Sequence, residues 1–275
     1  MRPYLFSALG LIAAVSTVRA DRMPDYTPLV RVAQSEIAVI GRVTSVEKET
    51  VAATSYPQAT AKTEYTIATV KVETNIRGAK AVTHLKVGFH PGSSGTGGSY
   101  KFPVLKDGQE VCVFLNKHYE AGFYVFPSLA PPLDVNETNK ETLAKLKRAA
   151  TVFQDPALAL KAEQADDRLL AAAVLMLQYP TPIRGKPNAT EPVALEESQA
   201  ILKILAEADW TTKSDPELVA KQAFLQAGIL EHPKFAKIRP NPGDDLNALW
   251  KAELQSWLKT DGKEYRIQKF VPKAK

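Results

Sequence analysis

The stretch Glu36–Val46, EIAVIGRVTSV, decides the fold class. Ile37, Val39 and Val43 recur with period two, the mark of a strand with one buried face. Gly41 interrupts the run. A glycine inside a strand marks a bulge or a sharp bend, where the chain can cross from one sheet to another. The apolar phase shifts before Val46, as a bend requires. The next apolar run, Thr63–Ile76, behaves alike: Tyr65 and Ile67 share one phase, Val70 and Val72 the other. Two long strands that each change phase midway are expected to curl around a core.

Three further strands follow from the same patterning: Val82–Phe89, Glu110–Asn116 and Phe123–Phe126. Leu29–Ser35 reads as a short helix or turn, and Val51–Lys62 as a long polar loop. The glycine-rich run His90–Tyr100 lacks the Gly-Lys-Ser/Thr ending of a phosphate loop and is followed by no helical pattern, so it reads as a plain connection. Closing five strands on themselves removes the exposed edges that an open sheet would leave.

The chain changes character near residue 130. Pro127–Asp134 carries three prolines and reads as a connection, after which Ala, Leu, Lys and Glu recur at helical spacing. Thr138 and Glu141 form a capping-box pattern ahead of Leu143, Leu146, Ala150 and Phe153. Asp155-Pro156 opens a helix to about Gln178, whose part Leu169–Leu177 is apolar nearly all round and therefore central. A turn-rich loop runs through Pro192, followed by a helix over Val193–Ala208. Ser214–Glu217 is a second capping box. Leu246, Leu249, Trp250, Leu254, Trp257 and Leu258 make the clearest helical stripe. The tail Lys263–Lys275 reads as a solvated end or a last strand.

The segments Ile37–Val43, Tyr65–Val72 with Ile76-Arg77-Gly78, and Val111–Leu115 together resemble the OB-fold. Within it they resemble the netrin-like modules of secreted proteins, including tissue metalloproteinase inhibitors. The resemblance covers roughly a hundred residues. It implies an α+β chain: a five-stranded OB-like β-barrel over 21–132, then an all-α helical domain over 133–275. The cysteines of netrin-like modules are missing here. So is the N-terminal cysteine with which those inhibitors chelate a target's zinc, so that mechanism does not carry over.

Residues 1–20, MRPYLFSALGLIAAVSTVRA, have the layout of a secretory signal: Arg2, an uncharged run Leu5–Val18, and Val18-Arg19-Ala20 at the cleavage site. The expected location is secreted or periplasmic, with no membrane span after cleavage. Without Arg2 and Arg19 the chain carries 33 basic and 30 acidic groups, so a nucleic-acid partner is not expected. Cys112, the sole cysteine, lies in the apolar run QEVCVFL and reads as a buried structural thiol.

Two groups of residues could carry a function. Lys117, His118, Tyr119 and Tyr124 combine basic and aromatic groups near the fifth strand, as ligand faces of OB-folds do. They suit a protein or saccharide ligand, although Phe123 and Tyr124 would equally serve as core. His84, His90 and His118 could hold a metal, although their spacing matches no metal-binding motif. The sequence contains no G-x-S-x-G, and adjacent acids such as Asp166-Asp167 do not face each other on a helix. The leading expectation is a non-enzymatic binding protein without a cofactor. The alternatives are a metal-assisted hydrolase using the three histidines and a structural envelope protein.

Overall fold

The computed structural model describes residues 27–91, 103–127, 131–182, 187–210, 224, 229 and 243–273. The leader, the glycine-rich run beyond Pro91, the Ser214 capping box and His232 lie outside them. The chain mixes helices and strands. A short helix α1 (Pro28–Gln34) leads into β1 (Ile37–Thr54), β2 (Lys62–Arg77), β3 (His84–Phe89), β4 (Glu110–Lys117), β5 (Tyr124–Val125) and β6 (Leu133–Asp134). These make one six-stranded sheet in the order β1-β2-β3-β5-β4-β6, and β4 also pairs with β1. The pairings of strands one to five thus return to their start, with β3 and β5 parallel and the other pairs antiparallel.

Gly41 is where β1 is squeezed. It pairs with Val72 of β2 on one side and Val111 of β4 on the other, and the β1–β2 register slips between Ile40 and Gly41. Residues 38–42 pair with both neighbours, whereas residues 45–54 pair with β2 alone. The expected Val51–Lys62 loop is strand at Val51–Thr54 and at Lys62, and only residues 55–61 form the connection. β1 runs on to Thr54 as an exposed hairpin, whose Thr/Ala/Glu composition satisfies a backbone ladder without burying a face.

The helices are α2 (Lys140–Gln154), α3 (Pro156–Ala159), α4 (Ala165–Gln178), α5 (Leu195–Glu207) and α6 (Leu246–Leu258). Asp155 caps α3 by accepting from the Leu158 N–H, with Pro156 in the first turn, but the helix expected from there to Gln178 is broken: α3 ends at Ala159 and α4 starts at Ala165. Asp245 caps α6. The start of α2 differs from expectation: Asn136, not Thr138, supplies the capping oxygen, to the Asn139 N–H of a 3-10 turn that feeds the helix. Ala171–Leu177 are all buried, which places α4 at the centre. Among the described residues no helix is long and apolar enough to cross a membrane.

The second half is not all helical. β7 (Asn188–Pro192) pairs antiparallel with β8 (Gln268–Pro272), so the expected loop and the expected tail form one ribbon. Neither has a strong alternating pattern because both are largely exposed. Among the described residues there are four apolar clusters, the smallest of them Ala53, Tyr65, Ile67 and Phe123, and the other three hold the molecule together. One lies inside the strand circuit around Val39, Val70, Val87 and Val113. One lies among the helices around α4. The third joins them: Ala38, Ile40, Ile76 and Phe114 of the strands pack on Leu143, Leu146 and Ala150 of α2. Cys112 belongs to this layer, is fully buried, and burial pushes its thiol up to about 12. A disulfide-exchange reagent at pH 8 should leave Cys112 unmodified in the native protein and titrate one thiol in denaturant. Rapid native modification would contradict this burial.

Candidate functional site

Two places bring polar and aromatic groups together. The first is the end of the strand circuit where the β1–β2 hairpin meets the loop 118–123. His118 is buried, 3 % exposed. Its Nε2–H donates to the Thr54 carbonyl at 2.9 Å, and its Nδ1 accepts from the backbone N–H of Ala121 at 3.0 Å and of Glu120 at 3.3 Å. These partners fix the tautomer and use both ring nitrogens inside the protein. Glu120 completes the tie: its carboxylate accepts from the Thr54 hydroxyl at 2.7 Å and the Thr54 N–H at 3.2 Å. Tyr65 and Phe123, both buried, lie 5.8 and 5.0 Å from the His118 ring. Phe123 is seated against Gly88, where a Cβ would come within 2.6 Å of its ring.

Of the predicted ligand residues, Tyr119 alone combines exposure with a built support. Its ring is 43 % exposed and stacks on the His118 ring, centroids 4.8 Å apart and planes 23° from parallel. Lys117 is exposed, and its backbone N–H donates to the Glu36 carboxylate at 3.1 Å. Tyr124 is Lys117's cross-strand partner and packs half-buried on the strand core. His118 itself is buried and held through both ring nitrogens beneath the Tyr119 ring.

The three-histidine metal site does not assemble. His84 opens β3 and His90 follows its end, about 20 Å apart along an extended strand. His90 instead stacks on Tyr65 at 5.1 Å, and burial lowers its pKa. His84 is exposed and lies beside the Thr83 hydroxyl. Among the described residues no three His, Cys, Asp or Glu side chains could hold a metal ion.

Glu120 gives this end of the molecule a pH dependence. The Thr54 hydroxyl, then the Thr54 N–H, hold its carboxyl below the usual carboxylate range. A carboxyl lowered by folding stabilises the fold above its unfolded value of about 4.3, and that contribution is lost as pH falls through the folded value. Followed by NMR, the Thr54 amide should titrate with a midpoint below the ordinary glutamate value of about 4.3. A midpoint above 4.5 would show the tie to be absent. Glu120→Gln should remove this titration.

The second place was not legible in the sequence. A cleft of about 1030 Å3 opens where α1 and the ends of β2 and β4 face the end of α4, the start of α5 and β8. Arg77, on its wall, is a structural bolt. It donates to the Val32 carbonyl at 2.8 Å and to that of Ala33, capping α1, and its guanidinium lies 4.9 Å over the Phe153 ring. Burial lowers its pKa, and Glu36 draws it back. Opposite, the Tyr179 hydroxyl donates to Glu197, and burial together with that carboxylate holds the phenol well above its usual range. Asp155, Tyr179 and Lys269 carried only helix-start, helix-stop and tail readings in the sequence, because a concavity formed by the ends of distant elements leaves no local pattern.

No protein-family model, no curated protein and no solved structure matches the chain.

Proposed function

We propose that the chain is an extracytoplasmic, non-enzymatic binding protein. In this reading residues 21–132 form an OB-like barrel, residues 133–275 form a mainly helical second unit, and the first twenty residues are a secretory signal. The ligand, a neutral oligosaccharide, docks where the β1–β2 hairpin meets the β4–β5 loop. The pairing circuit β1-β2-β3-β5-β4 supports the barrel, since it closes on itself with a parallel β3–β5 pair. In such barrels the loops joining strands one and two and strands four and five flank the surface that takes oligosaccharides and oligonucleotides.

One observation carries the ligand site. Tyr119 offers an exposed aromatic ring on a base that cannot shift, since the His118 ring beneath it is fixed by three hydrogen bonds. A large ring held at low entropic cost is what a sugar-stacking platform needs. The Glu120 carboxylate beside it favours hydroxyl-bearing ligands over phosphodiesters.

Titration calorimetry with gluco-, manno-, xylo- and N-acetylglucosamine oligomers tests the proposal. At least one series should bind more tightly as it lengthens. Tyr119→Ala should weaken it about tenfold, ~1.4 kcal/mol, with Tm unchanged. No binding by any series, or an unaffected Tyr119→Ala variant, would overturn the reading.

A further inference from the structure

The cleft between the strands and the helices makes no use of Tyr119 and presents a different chemistry. We infer that it is a second binding site, for an extended peptide segment carrying a lysine or arginine side chain. Size argues against a small metabolite: about 1030 Å3 lies at or above the upper end of small-molecule sites, and the trough is open to solvent. Its walls combine apolar surface, at Pro156, Phe270 and Pro272, with the side-chain amides of Gln34 and Gln178, while that of Asn116 is buried and accepts from the Glu36 N–H at 2.9 Å. Side-chain amides can both donate to and accept from a peptide backbone.

Charge selects the side chain. Three carboxylates line the cleft, Glu36, Asp155 and Glu197, together with two cations, Arg77 and Lys269. Both cations are committed elsewhere: Arg77 to the α1 carbonyls, and Lys269 to Glu191 across the ribbon at 3.0 Å. Glu36 shares its field with Arg77. Asp155 accepts from the Leu158 N–H, and Glu197 from the Tyr179 hydroxyl. Neither takes part in an ion pair with a described residue, so their charge is open to an incoming ammonium or guanidinium. An acidic ligand would meet the same two groups unfavourably.

The ribbon also limits how such a peptide binds. The Phe270 N–H is taken by the Tyr179 carbonyl at 2.9 Å, and Pro272 has no N–H to offer. Strand addition along β8 is blocked there, so the peptide lies in the trough and is read through side chains.

Fluorescence anisotropy on the full chain tests this with three labelled heptapeptide libraries on an Ala/Gly/Pro background, holding Lys, Gln or Glu at the centre. The Lys library should bind saturably, at least tenfold more tightly than the Gln and Glu libraries, and more weakly at high salt. Glu197→Gln, which still accepts from Tyr179, and Asp155→Asn, which still caps α3, should each reduce the preference for Lys. Ala157→Trp places a bulky ring in the cleft from an exposed position, and should abolish binding with circular dichroism and Tm unchanged. Tyr119→Ala should leave peptide binding intact, which keeps this outcome separate from that of the saccharide site. Failure of the Lys library to bind, equal binding of the three libraries, an Ala157→Trp variant that still binds, or spermidine competing as well as the peptide would overturn the inference.

Discussion

Gly41→Ala is expected to destabilise the protein by about 3 kcal/mol, the upper end of what overpacking a tight site costs. A Cβ at position 41 would lie 2.2 Å from the Lys71 carbonyl oxygen and 3.1 Å from a Val70 methyl. The first contact is with backbone, so no rotamer change relieves it. β1 is paired on both sides at this point, to β2 and to β4, so neither flank can retreat without breaking a ladder. Urea unfolding measures the effect, with Gly122→Ala as control. Gly122 has open space where a Cβ would go, so alanine there should be neutral or stabilising by up to about 1 kcal/mol through the unfolded chain. A Gly41→Ala midpoint within 1 kcal/mol of the parent would show that the strand circuit is looser than described.

Trp257→Ala is expected to cost about 3–5 kcal/mol, the range for removing a buried aromatic side chain. Trp257 is fully buried in the helical core with Leu254, Leu202 and Ile201. The Tyr265 ring meets it edge-on at 5.0 Å, and Gly262 lies so close that a Cβ there would come within 2.7 Å of the indole. Alanine would leave a cavity that these neighbours cannot collapse into, because the turn at 261–264 is held by Gln199 donating to the Gly262 carbonyl at 2.7 Å. For a protein of ordinary stability, about 5–15 kcal/mol, this is a fifth or more of the total. Since that turn leads into β8, a wall of the cleft, partial loosening should weaken peptide binding before it touches the Tyr119 platform. A Trp257→Ala variant with parental stability would place the indole outside the core.

Features tied to neighbouring residues were legible. Asp155-Pro156, the α6 stripe and the apolar run in α4 each carry their cause within a few positions, as a cap, a face or a fully buried turn. The phase change at Gly41 was legible because the backbone itself needs a missing side chain there. The Asn136 cap was missed because an intervening 3-10 turn moves the helix start away from the capping-box residues. The β7–β8 ribbon was missed because its strands lie about eighty residues apart and neither buries a full face.

The candidate sites divide along the same line. The sequence by itself determined that the chain mixes strands and helices, that the first strand must bend at Gly41, and that Tyr119 and His118 stand together in a short loop. It did so because each depends on local periodicity or on adjacent residues. Only the tertiary structure decided that His118 is buried and tied to Thr54, since that partner is 64 positions away. Only the tertiary structure separated His84 from His90 and His118, and set Asp155 and Glu197 in one cleft. Those relations depend on which distant elements pack against each other, a choice made by the shared layer between the strands and α2 that no local pattern records.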